Sequence, residues 1–149
     1  MINQNIKIGA DSVVFTYRDG QLMLLLVKRK NEPYQGCWCL PGGFVEDDET
    51  LSEAAHRELQ EETSLKLPAG TLEQFHTFDA IDRDPRFRTL TAAHTALLEE
   101  GEYLVCGQDD AAEARWWFVD ELPQLGFDHA LIVASALEWL GQHKGLVLG

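Results

Sequence analysis

Apolar and polar positions change period several times along this chain, and each change marks an element. From Ile6 to Tyr17 apolar residues alternate loosely and β-branched side chains are frequent, which predicts a strand. Asp19-Gly20 supplies a hairpin turn into a second strand, Gln21 to Arg29. Residues 31–36, with Pro33 and Gly36, read as a loop, and Cys37 to Leu40 as a short strand broken by Pro41-Gly42-Gly43. The period then turns helical: Leu51, Ala55 and Leu59 stand four apart, Thr50 is placed as N-cap, and the helix ends near Glu62. Strand character returns over Leu72 to Ile81, Arg88 to Glu99 and Tyr103 to Cys106, with residues 82–87 a polar loop stiffened by Pro85. Gly107 to Ala114 reads as an acidic loop and Arg115 to Val119 as a last strand. Asp128 is placed to cap a final helix, Ala130 to Gln142. Its Leu131, Ala134 and Leu137, then Ile132, Val133, Ala136 and Leu140, predict a broad apolar face. The pattern gives a mixed sheet with one central and one terminal helix, an α+β fold or α/β/α sandwich.

Composition narrows the function. A chain of 149 residues, 45% hydrophobic, suits one domain over residues 1–149. Its net charge of −13 argues against nucleic acid and against an anionic membrane surface. A small nucleotide remains open, because metal ions and a few local arginines can hold its phosphates. Met1 to Gly9 lacks the basic start and apolar run of a signal peptide, and the longest apolar run, Leu22 to Val27, is too short to span a bilayer. Cys37, Cys39 and Cys106 form no C-x-x-C pair. Reduced thiols and a cytoplasmic location are therefore expected, and a zinc site is not.

The chemistry concentrates between residues 43 and 65. Glu58, Glu61 and Glu62 stand at i, i+3 and i+4, so a helix puts them on one face. That face borders the stripe Leu51, Ala55, Leu59, so at least one carboxylate should be half-buried at the packing seam. Crowded, desolvated carboxylates repel one another and take up protons unless a cation is present. A divalent metal site accounts for the pattern. A salt-bridged surface helix, with Glu53 to Arg57 and Arg57 to Glu61 as pairs, leaves the preceding loop unexplained.

Gly43, Glu49, Arg57, Glu58, Leu59, Glu61, Glu62 and Leu65 stand where the signature G-x5-E-x7-R-E-U-x-E-E-x-G-U has its fixed residues. The chain thereby resembles the Nudix hydrolases, and the resemblance implies a Nudix-type sandwich with a mixed sheet. It implies Glu58 and Glu62 as main ligands of Mg²⁺, or of Mn²⁺, with Glu61 and the Gly43 carbonyl contributing. Arg57 would hold a neighbouring carboxylate, and Glu49 would either brace the loop through Arg57 or reach the metal through water. Ser64 replaces the usual glycine at a position expected to need positive φ, at a cost of about 1 kcal/mol.

Asp82-Arg83-Asp84-Pro85-Arg86, residues 109–116 and Phe127-Asp128-His129 resemble the bacterial ADP-ribose pyrophosphatase branch, although Phe87 stands where that branch often has glycine. The resemblance implies hydrolysis of ADP-ribose to AMP and ribose 5-phosphate, and a homodimer. The general base should come from the 108–113 segment, with Glu113 favoured and Asp110 second. Arg83 and Arg86 offer planar donors to pyrophosphate or ribose hydroxyls, beside Asp84. Arg29 or Lys28 is placed to reach a phosphate, and Phe78, Trp116 or Phe127 to stack an adenine. His129 reads as a local packing residue. Two alternatives stay open: a sanitiser of damaged nucleoside triphosphates, and a non-catalytic module that senses ADP-ribose.

Overall fold

The computed structural model describes residues 2–147. Strand β1 (Lys7–Arg18) turns through Asp19 and Gly20, both at positive φ, into β2 (Gln21–Arg29). The pairing of Phe15–Arg18 with Gln21–Leu24 is tight, and beyond it the two strands part like a fork. Two short strands fill the fork: β3 (Trp38–Cys39) on β2, and β4 (Gly42–Phe44) on β1. The outer edge of β1 pairs in parallel with β6 (Thr89–Leu97), which carries β5 (Glu73–Phe78) antiparallel. The outer edge of β2 takes β7 (Ala111–Phe118). The sheet is mixed, as the residue pattern implies, and seven-stranded.

Alternation along β1 and β2 decides which helix meets which face. Val13, Phe15, Leu24 and Leu26 pack with Ile132, Val133, Ala136 and Leu140 of α2 (His129–Lys144). Ala10, Val14, Met23 and Leu25 face the other way, onto Ala54, Ala55 and Leu59 of α1 (Leu51–Thr63). This is the α/β/α sandwich.

The helix ends carry their own signals. Thr50 caps α1 in a full capping box, its hydroxyl accepting from Glu53 N–H while the Glu53 carboxylate accepts from Thr50 N–H. Glu53 is thereby turned away from Arg57. At the far end Ser64 takes φ 69°, ψ 0°, and its N–H donates to Gln60 O at 2.9 Å. The left-handed backbone that glycine would adopt freely is present, held by serine. Ser64→Gly should therefore stabilise the protein by about 1 kcal/mol, raising Tm by roughly 2–4 °C in a calorimetric scan. The opposing loss is only an exposed contact between the Ser64 hydroxyl and Cys106 Sγ.

Five expectations need correction. Pro41-Gly42-Gly43 does not end regular structure: Gly42 and Gly43 are in β4, because only glycine lets that strand approach β1 so closely. A Cβ at Gly42 would overlap the Asp11 side chain and stand 2.7 Å from Ala10 O. Residues 111–114 belong to β7, so the acidic loop is shorter than predicted. Tyr103 to Cys106 is not a strand; its backbone bonds go to the Trp116 indole and to the end of α1. Asp128 precedes α2 but makes no capping bond, its carboxylate being taken by Arg83. The apolar face of α2 is narrower than expected, since Leu131 and Ala134 face outward.

Candidate active site

The fork between β1 and β2 opens into a cleft of about 580 Å³, walled by β4, the C-terminal half of α1, the 82–88 loop and the start of α2. Glu58 and Glu62, one turn apart on α1, both line it. Glu62 is only 7% exposed, and its Oε1 accepts from Gly42 N–H at 2.8 Å. Burial, joined by Glu58, Asp11 and Asp110 nearby, pushes its carboxyl up to about 8. Glu58 is raised by burial too, against the pull of Arg57. Gly43 fits because any Cβ there would lie on the Glu58 carboxylate, 2.6 Å from Oε1. Glu61 points outward, with 43% of its side chain exposed.

Arg57 is the clamp behind these acids. Its Nε and Nη2 donate to both oxygens of Glu49, at 2.9 and 2.6 Å, while Nη1 reaches Glu58 at 2.7 Å and Glu61 at 3.2 Å. A further bond from Nη2 to Phe44 O ties the helix to β4. The Glu49 contact holds the Glu49 carboxyl below its ordinary range and raises Arg57. Of the two readings of Glu49, bracing through Arg57 is the one this geometry favours.

The remaining expected residues divide. Arg83, Asp84, Arg86 and Arg29 line the cleft. Arg83, 7% exposed along its side chain, spends its fork on Asp128 at 2.9 and 2.8 Å and its third nitrogen on Thr89. Arg86 is bidentate to Asp84 and lies over the Phe44 and Phe87 rings. Burial alone would raise Asp84, but the Arg86 contacts bring it below its ordinary value. The Arg29 guanidinium sits over Phe127, and of the three expected stacking residues Phe127 is the one that lines the cleft, where Phe44 joins it. Trp116 is not available to stack a base: the alternation of β7 turns it into the α1-side core, where its indole donates to Tyr103 O at 2.8 Å. Phe78 is core on the opposite face. Glu113 stands exposed on β7 opposite Lys28, outside the cleft lining, whereas Asp110 is part of it. The 107–110 loop is fixed there by Gln108 N–H to Glu62 O and by Lys30 bonds to the carbonyls of Asp109 and Asp110.

Asp11 lay outside the sequence expectations, and His129 was expected only to pack locally; both line the cleft. Asp11 is the one acid of β1 and accepts from Thr91 at 2.7 Å. His129 faces it from the first turn of α2.

Among the described residues no three acidic, histidine or cysteine side chains converge into a closed cage. The arrangement is an open carboxylate edge, Glu58 with Glu62, both raised in pKa chiefly by burial. That donor set is all oxygen, and it suits a hard cation that keeps several of its waters.

Residues 7–140 match the NUDIX domain. This chain belongs to the NUDIX family. It is 42% identical over 116 residues to an ADP-ribose pyrophosphatase of Methanocaldococcus jannaschii, covering 78% of this chain and 66% of that protein. It is 36% identical over 130 residues to the ADPR responsive transcriptional repressor NtrR of Acinetobacter baylyi, covering 85% of this chain and 51% of the repressor. The chain thus spans about half to two thirds of these relatives. The NUDIX domain of Shewanella oneidensis NrtR, solved as a complex with ADP ribose, superposes with a TM-score of 0.83 at 35% identity, covering 93% of this chain and 90% of that one.

Proposed function

We propose that this NUDIX domain is a divalent-metal-dependent pyrophosphohydrolase that splits ADP-ribose into AMP and ribose 5-phosphate. The observation that carries the reading is the pair of buried Glu62 and half-buried Glu58 on the cleft wall, with no cation paired to Glu62 among the described residues. The likeness to an ADP-ribose pyrophosphatase and to a domain solved with ADP ribose supports the substrate.

Glu58 and Glu62 would hold Mg²⁺ or Mn²⁺ with the Gly43 carbonyl, while Glu61, which points away from the cleft, would contribute only by turning toward them. When bound, such an ion neutralises pyrophosphate charge and activates water. Arg57 keeps the helix carboxylates and β4 in fixed relation, so the site does not reorganise during the reaction. Asp110, rather than Glu113, is the acid in the cleft that takes the proton as water attacks phosphorus. The P–O bond to the departing phosphate breaks, and Arg86, an exposed arginine of the cleft, would meet that charge.

The acidic surface keeps nucleic acid and anionic membranes out of this reading, and free Cys37, Cys39 and Cys106 suit a reducing cytoplasm. It takes residues 1–149 as one domain and the working unit as a homodimer, which analytical ultracentrifugation reads directly.

A second reading follows from the Acinetobacter repressor: a domain that binds ADP-ribose and regulates by contact. A panel of ADP-ribose and nucleoside triphosphates, with and without Mg²⁺, separates the possibilities. Metal-dependent release of AMP from ADP-ribose is expected. Preference for triphosphates would make it a pool sanitiser, and tight ADP-ribose binding without turnover would make it a sensor.

A further inference from the structure

His129 is 5% exposed and lines the cleft, yet only one of its ring nitrogens is committed to the protein. Nδ1 accepts from Leu40 N–H at 3.0 Å. An accepting Nδ1 fixes the tautomer, so the proton is on Nε2 and this edge can only donate. Burial opposes the charged form and, with smaller help from Arg83 and Arg29, outweighs Asp11 and Asp128, so the ring is held below its ordinary pKa. Nε2 faces Asp11 Oδ2 across 3.9 Å, too far for a hydrogen bond, and no other bond to it occurs among the described residues.

Asp11 is as firmly set. Thr91 donates to its Oδ2, and Arg83 stands 3.9 Å away. The floor of the cleft therefore presents a fixed donor beside a fixed acceptor, spaced so that an oxygen seated over both from the cleft side can stand about 2.8 Å from each. A phosphate oxygen satisfies only the donor and is repelled by the acceptor. A hydroxyl satisfies both, accepting from one group and donating to the other.

We infer that His129 and Asp11 together bind one ribose hydroxyl of the substrate, and so select a nucleoside-diphosphate-linked sugar over a nucleotide that lacks that hydroxyl. The inference rests on the ADP-ribose reading above. A site built to bond a hydroxyl rejects its deoxy analogue strongly, because both buried partners are then left unsatisfied.

Two substitutions separate binding from packing. His129→Asn keeps an acceptor for Leu40 N–H and loses the donor to the cleft. His129→Gln places an amide N–H near the Nε2 position and gives up the Leu40 bond. Calorimetric titration with ADP-ribose in EDTA, with thermal melts, reads both variants. His129→Asn should bind about tenfold more weakly at nearly unchanged Tm, while His129→Gln keeps affinity and loses Tm. One of the analogues lacking a single ribose hydroxyl should bind wild type more weakly than ADP-ribose does, and bind His129→Asn and wild type equally. Unchanged affinity in His129→Asn would overturn the inference and leave a water in the gap. The same follows if His129→Asn weakens every analogue as much as ADP-ribose. Wild-type protein that binds no ADP-ribose removes the functional reading and this inference together. Wild-type turnover with an indifferent His129→Asn removes the inference alone.

Discussion

Replacing Glu62 with glutamine is expected to make the metal-free protein more stable at pH 9 while removing its turnover. The two effects have one cause. Burial raises the Glu62 carboxyl from 4.5 to about 8, helped by Glu58, Asp11 and Asp110. The metal-free folded protein thus keeps a proton that the unfolded chain has already released between those values. Stability from this group is full below pH 4.5 and declines as pH rises through 8. Glutamine is neutral throughout, nearly the same shape, and its amide oxygen can still accept from Gly42 N–H. At pH 9 in EDTA the variant should gain on the order of 3–5 kcal/mol, seen as a Tm higher by roughly 5–10 °C or more. At pH 4 the two proteins should melt together.

Added Mg²⁺ should reverse the order at pH 9, because a bound cation stabilises ionised Glu62 and has less to hold on glutamine. If the proposed reading holds, turnover of ADP-ribose should fall roughly 10²–10³-fold, since one of the two carboxylates that would position the ion is gone. A variant equally active in Mg²⁺ would move the catalytic centre away from α1. A variant no more stable than wild type in EDTA at high pH would show that Glu62 is solvated in solution.

Carboxylate crowding of this kind was legible because it is local. The spacing of Glu58, Glu61 and Glu62, and the nearby stripe ending at Leu59, predict a half-buried acid from helix geometry alone. The same locality exposed the Thr50 cap, the Asp19-Gly20 turn and the positive φ of Ser64. What failed to show was anything set by contact between distant segments. Trp116 and Trp117 are adjacent, and only the pairing of β7 with β2 decides that Trp116 enters the α1-side core. Asp110 and Glu113 are both acids ahead of a strand, and the loop bonds to Glu62 and Lys30 decide which one reaches the cleft. Asp11 and His129 are 118 positions apart in sequence and meet only because α2 starts where β1 passes the fork. Asp128 had the residue type of a cap, and a buried arginine from another loop claimed it.

That arginine yields the second large effect: Arg83→Met should destabilise the protein by about 3–5 kcal/mol in urea unfolding. Arg83 is not a free arm waiting for phosphate. Its fork closes on both oxygens of Asp128, its remaining nitrogen bonds Thr89 at 3.0 Å, and Asp11 stands nearby, all with little solvent. Methionine fills similar volume but leaves Asp128 and Asp11 without their cation, and uncompensated buried charge is what makes such losses large. Arg83→Met combined with Asp128→Leu should recover much of the loss, because the pair's own desolvation disappears with it. Arg86→Met is the control. Its partner Asp84 is buried and would lose a bidentate cation, but Arg86 itself is 37% exposed and solvent enters where it leaves, so a smaller loss than for Arg83→Met, about 1–2 kcal/mol, is expected apart from any change in KM. If Arg83→Met instead melted like wild type and raised only KM, the guanidinium would exchange Asp128 for substrate pyrophosphate on binding. A stability loss recovered by the double variant makes Arg83 the strut that holds the 82–88 loop against α2, and so keeps His129 and Asp11 facing each other.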